Sequence, residues 1–385
     1  MSSNIQTVLV TGVSGFLGSV VVDELLAAGY KVRGTARSAK APRVQAAYAS
    51  FGDRFQIVVV DDLATDDLTE AFKGHYIRYT ATSFTHIVWT AGVDALIHVG
   101  SPLAGKAPTN ILIKSAVDGT LHAVDAALKA GVKKIVVTAS VLSLASPAQI
   151  HSNITIGASS QYNTHLLITD CRTDEVWHLI DWSNETEESA AAAGPLEIYG
   201  LGKTLAEKAL RDFAAKHPQL DVATVHPGFL YGPPGHGQVL DKPVDGTNGY
   251  VYQLISGPAG RPVPGQGLPA ATHVRDAALL HVLALKAAPS PASKPKRIVA
   301  VGPEDTFTWL QAVQWLYEAR PELRARLPTV TGKETHNLEE WSKWDSSSAK
   351  EIVGLEKFRG WKEMVGDTID AAVKKEKELG VVPAL

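Results

Sequence analysis

Tyr199 and Lys203 stand four residues apart in Tyr199-Gly200-Leu201-Gly202-Lys203, the single Tyr-x-x-x-Lys of the chain. On a helix, residues four apart share a face one turn apart, so this spacing sets an ammonium beside a phenol. A free phenol has a pKa of about 10 and is a poor base at neutral pH. Lowering it by ~3 units takes roughly 4 kcal/mol of differential stabilisation. A nearby ammonium and a cationic oxidised nicotinamide can supply that in a partly desolvated cleft. The chain has ten tyrosines, and such a spacing also arises by chance. Its weight comes from lying downstream of a glycine turn and of Ser140, a hydroxyl placed just after a strand. No metal site is expected.

The elements that must position these groups begin near the N-terminus. Thr7-Val8-Leu9-Val10 is a short apolar run of buried-sheet type. It leads into Thr11-Gly12-Val13-Ser14-Gly15-Phe16-Leu17-Gly18, and an apolar-periodic helix follows from Phe16 to Ala28, stopped by Gly29. In a strand–turn–helix setting, Gly12 permits the tight turn and Gly15 lets the backbone approach a pyrophosphate. Gly18 lets helix and strand pack closely, and the helix N-terminus faces the phosphates. Further strands are expected at Lys31–Thr35, Phe55–Val60, Ala95–Pro102, Lys134–Val137, Val222–Val225 and Arg297–Val301. Helices are expected at Lys114–Lys129 and about Leu196–Ala215. This alternation argues for a Rossmann-type, doubly wound α/β parallel sheet covered on both faces. The reading divides the chain into an NADP(H)-binding domain over 1–226, its sheet completed by about 268–302, and a smaller, mostly helical substrate lobe within 227–385. The lobe is expected to cover a cleft.

Dinucleotide-binding units that take NAD place an acid at the end of the second strand to hold the ribose 2′-hydroxyl. Here no acid occurs between Glu24 and Asp53, and the segment carries Lys31, Arg33, Arg37, Lys40 and Arg43. Arg37 sits where an adenosine 2′-phosphate would lie, and a guanidinium binds phosphate bidentately. The cofactor is therefore expected to be NADP(H), with Asp62 at the adenine edge.

A chain of 385 residues with net charge −3 and one cysteine implies neither a nucleic-acid nor a membrane partner, and no intrachain disulfide. A cytoplasmic protein is expected, a monomer or homodimer acting on a small carbonyl compound. Two segments interrupt the pattern, His75–Ala91 and Gly157–Arg172, the second holding Cys171. They read either as surface loop insertions or as translated introns.

Together these residues resemble the extended short-chain dehydrogenase/reductase family, in its dihydroflavonol-reductase-like branch, and especially fungal NADPH-dependent aldehyde and ketone reductases. Thr11–Gly18, Val32–Ser38, Asp62, His98–Pro102, Ala116–Thr120, Thr138–Ser140, Tyr199 with Lys203, and His226–Pro233 carry the likeness. The resemblance implies Ser140, Tyr199 and Lys203 as a catalytic triad. It implies Gly12, Ser14, Gly15, Phe16, Leu17 and Gly18 at the pyrophosphate, Arg37 and Lys40 at the 2′-phosphate, and Asp62 and Leu63 near adenine. Val99, Gly100 and Ser101 would line the cofactor cleft, and Pro227 and Gly228 the nicotinamide. Gly202 and Ala139 stand where serine is common in relatives, and Ala116 where some have asparagine. The implied activity is carbonyl reduction. Alternatives are a sugar-nucleotide epimerase or dehydratase and, from another class, a non-catalytic NADP-sensing regulator.

NADPH is expected to exceed NADH in kcat/KM by about tenfold or more, since charge-assisted bonds to phosphate contribute about 1.5–3 kcal/mol each. Arg37→Ala is expected to erase most of that preference while sparing activity with NADH. Equal use of both cofactors by the intact protein would contradict the assignment.

Overall fold

The computed structural model describes residues 5–73, 75–77, 87–89, 92–101, 109–145, 147–159, 194–291, 296–334 and 341–381. Seven parallel strands form the main sheet: β1 (Thr7–Thr11), β2 (Lys31–Ala36), β3 (Phe55–Val59), β4 (Ala95–His98), β5 (Lys134–Thr138), β6 (Asp221–His226) and β7 (Lys296–Val299). Their spatial order is β7-β6-β5-β4-β1-β2-β3, so the chain reverses direction across the sheet between β1 and β4. Thr11 pairs with His98 at that junction. Ligands of open α/β sheets bind at such a switch point, outside the carboxyl ends of the strands.

Side chains alternate between two cores, as the strand period of two requires. Val8, Val10, Ala95, Ile97, Val136 and Val225 face one side, under α1 (Phe16–Ala27) and the later helix Val274–Lys286. Leu9, Leu96, Ile135 and Val137 face the other, under α2 (Thr109–Lys129) and α3 (Pro195–Lys216). Both helices begin before their expected starts, and α3 does so because Pro195 pre-sets its first turn. A separate apolar core gathers Tyr231, Val251, Leu254, Phe307, Trp309, Leu316, Met364 and Ile369. The late helix Ser347–Val353 is not part of that core, because Ala349 packs with the sheet residues.

The expected fourth strand is β4. Ile87–Trp89 instead pairs antiparallel with His75–Ile77, apart from the main sheet. Residues 78–86 and 90–91 of that interruption lie outside the described residues. The second interruption starts inside packed structure. Gly157 is buried and Ala158 packs on the cluster around Leu144 and Trp344, whereas residues 160–172, with Cys171, lie outside the described residues.

One buried ion pair ties α3 to the sheet. Arg297 of β7 grips Glu207 of α3 through Nε–Oε1 at 2.6 Å and Nη2–Oε2 at 3.1 Å, and its Nη1 donates to the Ala158 carbonyl at 2.8 Å. Removing one member of such a pair leaves a buried charge uncompensated. Arg297→Leu is therefore expected to cost about 3–5 kcal/mol in denaturant unfolding. The double change Glu207→Leu with Arg297→Leu is expected to regain most of that loss. A single-variant loss below about 1 kcal/mol, the scale of an exposed pair, would mean that the pair holds nothing.

Candidate active site and cofactor cleft

The glycine turn is shaped by contacts that only glycine allows. Gly12 has φ 72°, and a Cβ there would come within 2.9 Å of Gly100 Cα. A Cβ on Gly18 would collide with the Gly12 carbonyl. The Gly15 amide donates to that same carbonyl at 3.0 Å, and α1 starts directly afterwards at Phe16. Ser14 and Phe16 are part-exposed and Gly15 exposed, while Leu17 is buried in the core. The free N–H groups of a helix start thus stand at a backbone cradle that a side chain would fill, which fits a pyrophosphate. Thr11 Oγ1 braces the cradle from below, accepting from the Val99 and Gly100 amides at 3.0 Å each. Ser101 follows, part-buried, and Leu63 packs against the place a Gly100 Cβ would occupy.

Of the basic residues after the turn, three are engaged in structure. Arg33 is buried and donates to the carbonyls of Ala71 and Lys73. Lys31 pairs with Asp53, and Arg43 with Asp241. None of these three is among the residues expected at the 2′-phosphate. Arg37 and Lys40 remain exposed past the end of β2. Nearby, Asp61 accepts from the Ser38 amide and hydroxyl, both at 2.8 Å, and these bonds with the Arg37 charge hold its carboxyl below the usual range. Asp62, past β3, spends Oδ1 on the Ala64 amide at 2.9 Å.

Beyond β5 lies the second group. Ser140 is buried and accepts from the Leu142 amide at 3.2 Å, so it does cap the short turn Val141–Ser143. It also lies within hydrogen-bonding reach of the Tyr199 phenol. Lys203 Nζ stands 5.9 Å from the centre of the Tyr199 ring and donates to the Thr138 carbonyl at 3.1 Å. The expected depression of the phenol is not what the protein alone shows. Burial pushes Tyr199 up to about 12, against the opposing bond to Ser140. Burial pushes Lys203 down to about 8. The phenol therefore holds its proton at neutral pH. Pro227 accepts from the Val141 amide at 3.0 Å, and the Gly228 amide donates to Thr272 Oγ1 at 2.9 Å, so the chain after β6 is fixed against Ser140's turn.

Three buried histidines feel the Lys203 charge; His98 and His226 open motifs that carry the family likeness, but the sequence assigned none of the three a role. Burial, with the Lys203 charge adding to it, pushes His98 down to about 3. Burial likewise takes His226 and His281 to about 4. All three are neutral at pH 7. His281 Nδ1 donates to the Ala277 carbonyl at 2.6 Å, which leaves Nε2 to accept from Thr138 Oγ1 at 2.8 Å. Glu207 is the other omission. It lies at the third position of the stripe Tyr199, Lys203, Glu207, a four-residue periodicity that could have revealed it.

The match to known proteins follows this geometry. Residues 8–170 match the model of the NAD dependent epimerase/dehydratase family. An uncharacterized oxidoreductase of Schizosaccharomyces pombe is 30% identical over 291 residues, covering 73% of this chain and 74% of that protein. Aldehyde reductase 2 of Sporidiobolus salmonicolor is 28% identical over 370 residues, covering 92% of each. The crystal structure of yeast methylglyoxal/isovaleraldehyde reductase Gre2 complexed with NADPH superposes with a TM-score of 0.72 at 23% identity, covering 98% of this chain and 100% of that one. A glycine cradle at the switch point of a seven-strand sheet, together with relatives aligned along most of their length, identifies the chain as a member of the NAD dependent epimerase/dehydratase family, the extended short-chain dehydrogenases.

Proposed function

We propose that the protein is an NADPH-dependent reductase of aldehydes and ketones. The observation that carries this reading is the convergence of a protonated Tyr199, Lys203 and Ser140 at the strand edge that also bears the glycine cradle. The residues from Gly12 to Gly18 would hold the pyrophosphate, Arg37 and Lys40 the 2′-phosphate, and Asp62 and Leu63 the adenine side. Val99, Gly100, Ser101, Pro227 and Gly228 would line the nicotinamide half. NADPH, when bound, supplies a hydride to the carbonyl carbon.

The chain's own part is proton transfer and orientation. Ser140 Oγ already accepts from Leu142 N, so its hydrogen is available to a carbonyl oxygen. Tyr199 Oη, in reach of Ser140, gives its proton to that same oxygen as charge develops there. Lys203, anchored on the Thr138 carbonyl, stabilises the resulting phenolate and holds the ribose. Val141 and Leu142, the next residues, are buried and apolar. No acid stands there for the additional proton chemistry of a sugar-nucleotide dehydratase, and a non-catalytic sensor would have no use for the Tyr199–Lys203 pair. The substrate lobe is assigned to 227–385. The reading includes a cytoplasmic enzyme acting as a monomer or homodimer, and none of the described helices is long and apolar enough to cross a membrane.

The test is NADPH oxidation against aldehydes, diketones and aromatic ketones. Tyr199→Phe is expected to lower kcat by roughly 10²–10⁴, the range for loss of a general acid, with NADPH affinity nearly intact. Wild-type kcat/KM is expected to fall as pH rises past about 8, where Lys203 loses its charge. Retention of more than about a third of kcat by Tyr199→Phe, against the tenfold or larger losses typical of a missing general acid, would refute the mechanism.

A further inference from the structure

Past the end of β5 the chain stays hydrogen-bonded to the end of β6. The Ala139 amide donates to the Val225 carbonyl at 2.8 Å, and the Val141 amide donates to the Pro227 carbonyl at 3.0 Å. His226 lies between those two acceptors, and its side chain reaches the residue between those two donors. Its Nδ1 stands 3.1 Å from the Ser140 carbonyl oxygen. A carbonyl only accepts, so Nδ1 carries the hydrogen. Nε2 of the neutral ring is then the acceptor, and Thr224 Oγ1 donates to it at 2.9 Å. Glu207 Oε1 is 3.6 Å from Nε2, beyond hydrogen-bond reach, and is taken up by Arg297. Both ring nitrogens are thus used in one tautomer, inside a side chain that is fully buried.

The Ser140 carbonyl collects two further donors, the Ser143 amide at 3.0 Å and the Ser143 hydroxyl at 2.8 Å. Three donors on one oxygen fix the plane of the peptide that joins Ser140 to Val141. Tilting that plane would draw the Val141 amide off Pro227. It would also shift the Leu142 amide, which donates to Ser140 Oγ at 3.2 Å and so orients the hydroxyl. His226 therefore bears on Ser140 Oγ through the backbone, without touching it.

We propose that His226 is a positioning residue for carbonyl reduction. Its Nδ1–H holds the Ser140 carbonyl and thereby aims the Ser140 hydroxyl at the substrate oxygen that it shares with Tyr199. The inference rests on the carbonyl-reductase reading above and assigns the buried histidine of β6 a part in it.

The test is a double-mutant cycle on turnover, with the best aldehyde or ketone of the panel above as substrate. His226→Leu removes the donor and is expected to lower kcat about tenfold, the upper range for one neutral hydrogen bond. NADPH affinity, read by fluorescence titration, is expected to stay within about twofold, since no bond to the glycine cradle is lost. In a Ser140→Ala background the same change is expected to alter kcat by less than about twofold, because the hydroxyl it aims is gone. His226→Asn sets an amide N–H where Nδ1–H stood and is expected to keep at least about half of wild-type kcat. Should His226→Leu fail to fold, His226→Gln takes its place in the cycle. Its longer amide reaches the Nε2 position and leaves the Ser140 carbonyl without that donor. An equal loss in both backgrounds, no loss in either, or a loss in His226→Asn as large as in the donor-free variant overturns the role of His226 while the reductase reading stands. If the intact protein reduces no aldehyde or ketone, or Ser140→Ala reduces them as fast as the intact protein, the reductase reading itself falls.

Discussion

An ammonium held out of water sets the terms for everything around it. Lys203 reaches the Thr138 carbonyl from α3 and is buried at the carboxyl edge of the sheet. In that low-dielectric setting its charge acts over several ångströms with little screening. Burial keeps His98, His226 and His281 neutral, the Lys203 charge acts in the same sense, and each hydrogen-bonds in a way that suits a neutral ring. Thr11 shows the result most clearly. Its oxygen accepts from two backbone amides, so its one proton goes to His98 Nδ1 at 3.1 Å. The floor of the glycine cradle and Lys203 are thereby linked through His98, which bonds to Thr11 and feels the Lys203 charge.

That link needs α3 held at a fixed height. Three contacts do this from different directions. Lys203 ties the helix to β5, Glu207 ties it to β7 through Arg297, and Thr204 donates to the Gly200 carbonyl within the helix, with the Leu142 carbonyl 3.4 Å away. Arg297 also reaches the Ala158 carbonyl, so the chain between Ser140 and Tyr199 is gripped near its start by the same guanidinium. Side-chain positioning to within a fraction of an ångström is what proton transfer demands.

Much of this was legible in the sequence, for physical reasons that differ by element. The strand–turn–helix at the N-terminus was readable because close backbone approach at Gly12 and Gly18 tolerates no Cβ. Tyr199 and Lys203 were readable because a helical face forces their spacing. The basic run through and after β2 is sorted only by the structure. Net local charge cannot tell an arginine that binds carbonyls inside the protein, as Arg33 does, from one left in solvent, as Arg37 is. The helical stripe could have pointed to Glu207, but the neutrality of the histidines and the choice of Arg297 as its partner were not legible. Their meaning depends on which residues from 90 positions away meet them, and no local pattern encodes that.

The late arrival of β7 has a consequence for how the protein is made. Ribosomes add about 5–20 residues per second, so roughly 5–20 s separate the synthesis of Glu207 from that of Arg297. During that interval β6 is an unpaired edge strand, and Glu207 has no guanidinium to meet on docking. Exposed edges of this kind invite association with other chains. The helix that carries Tyr199 and Lys203 is thus locked by almost the last strand to leave the ribosome. Nascent chains stalled before residue 297 would carry Ser140, Tyr199 and Lys203 yet lack the guanidinium that ties α3 to the sheet through Glu207.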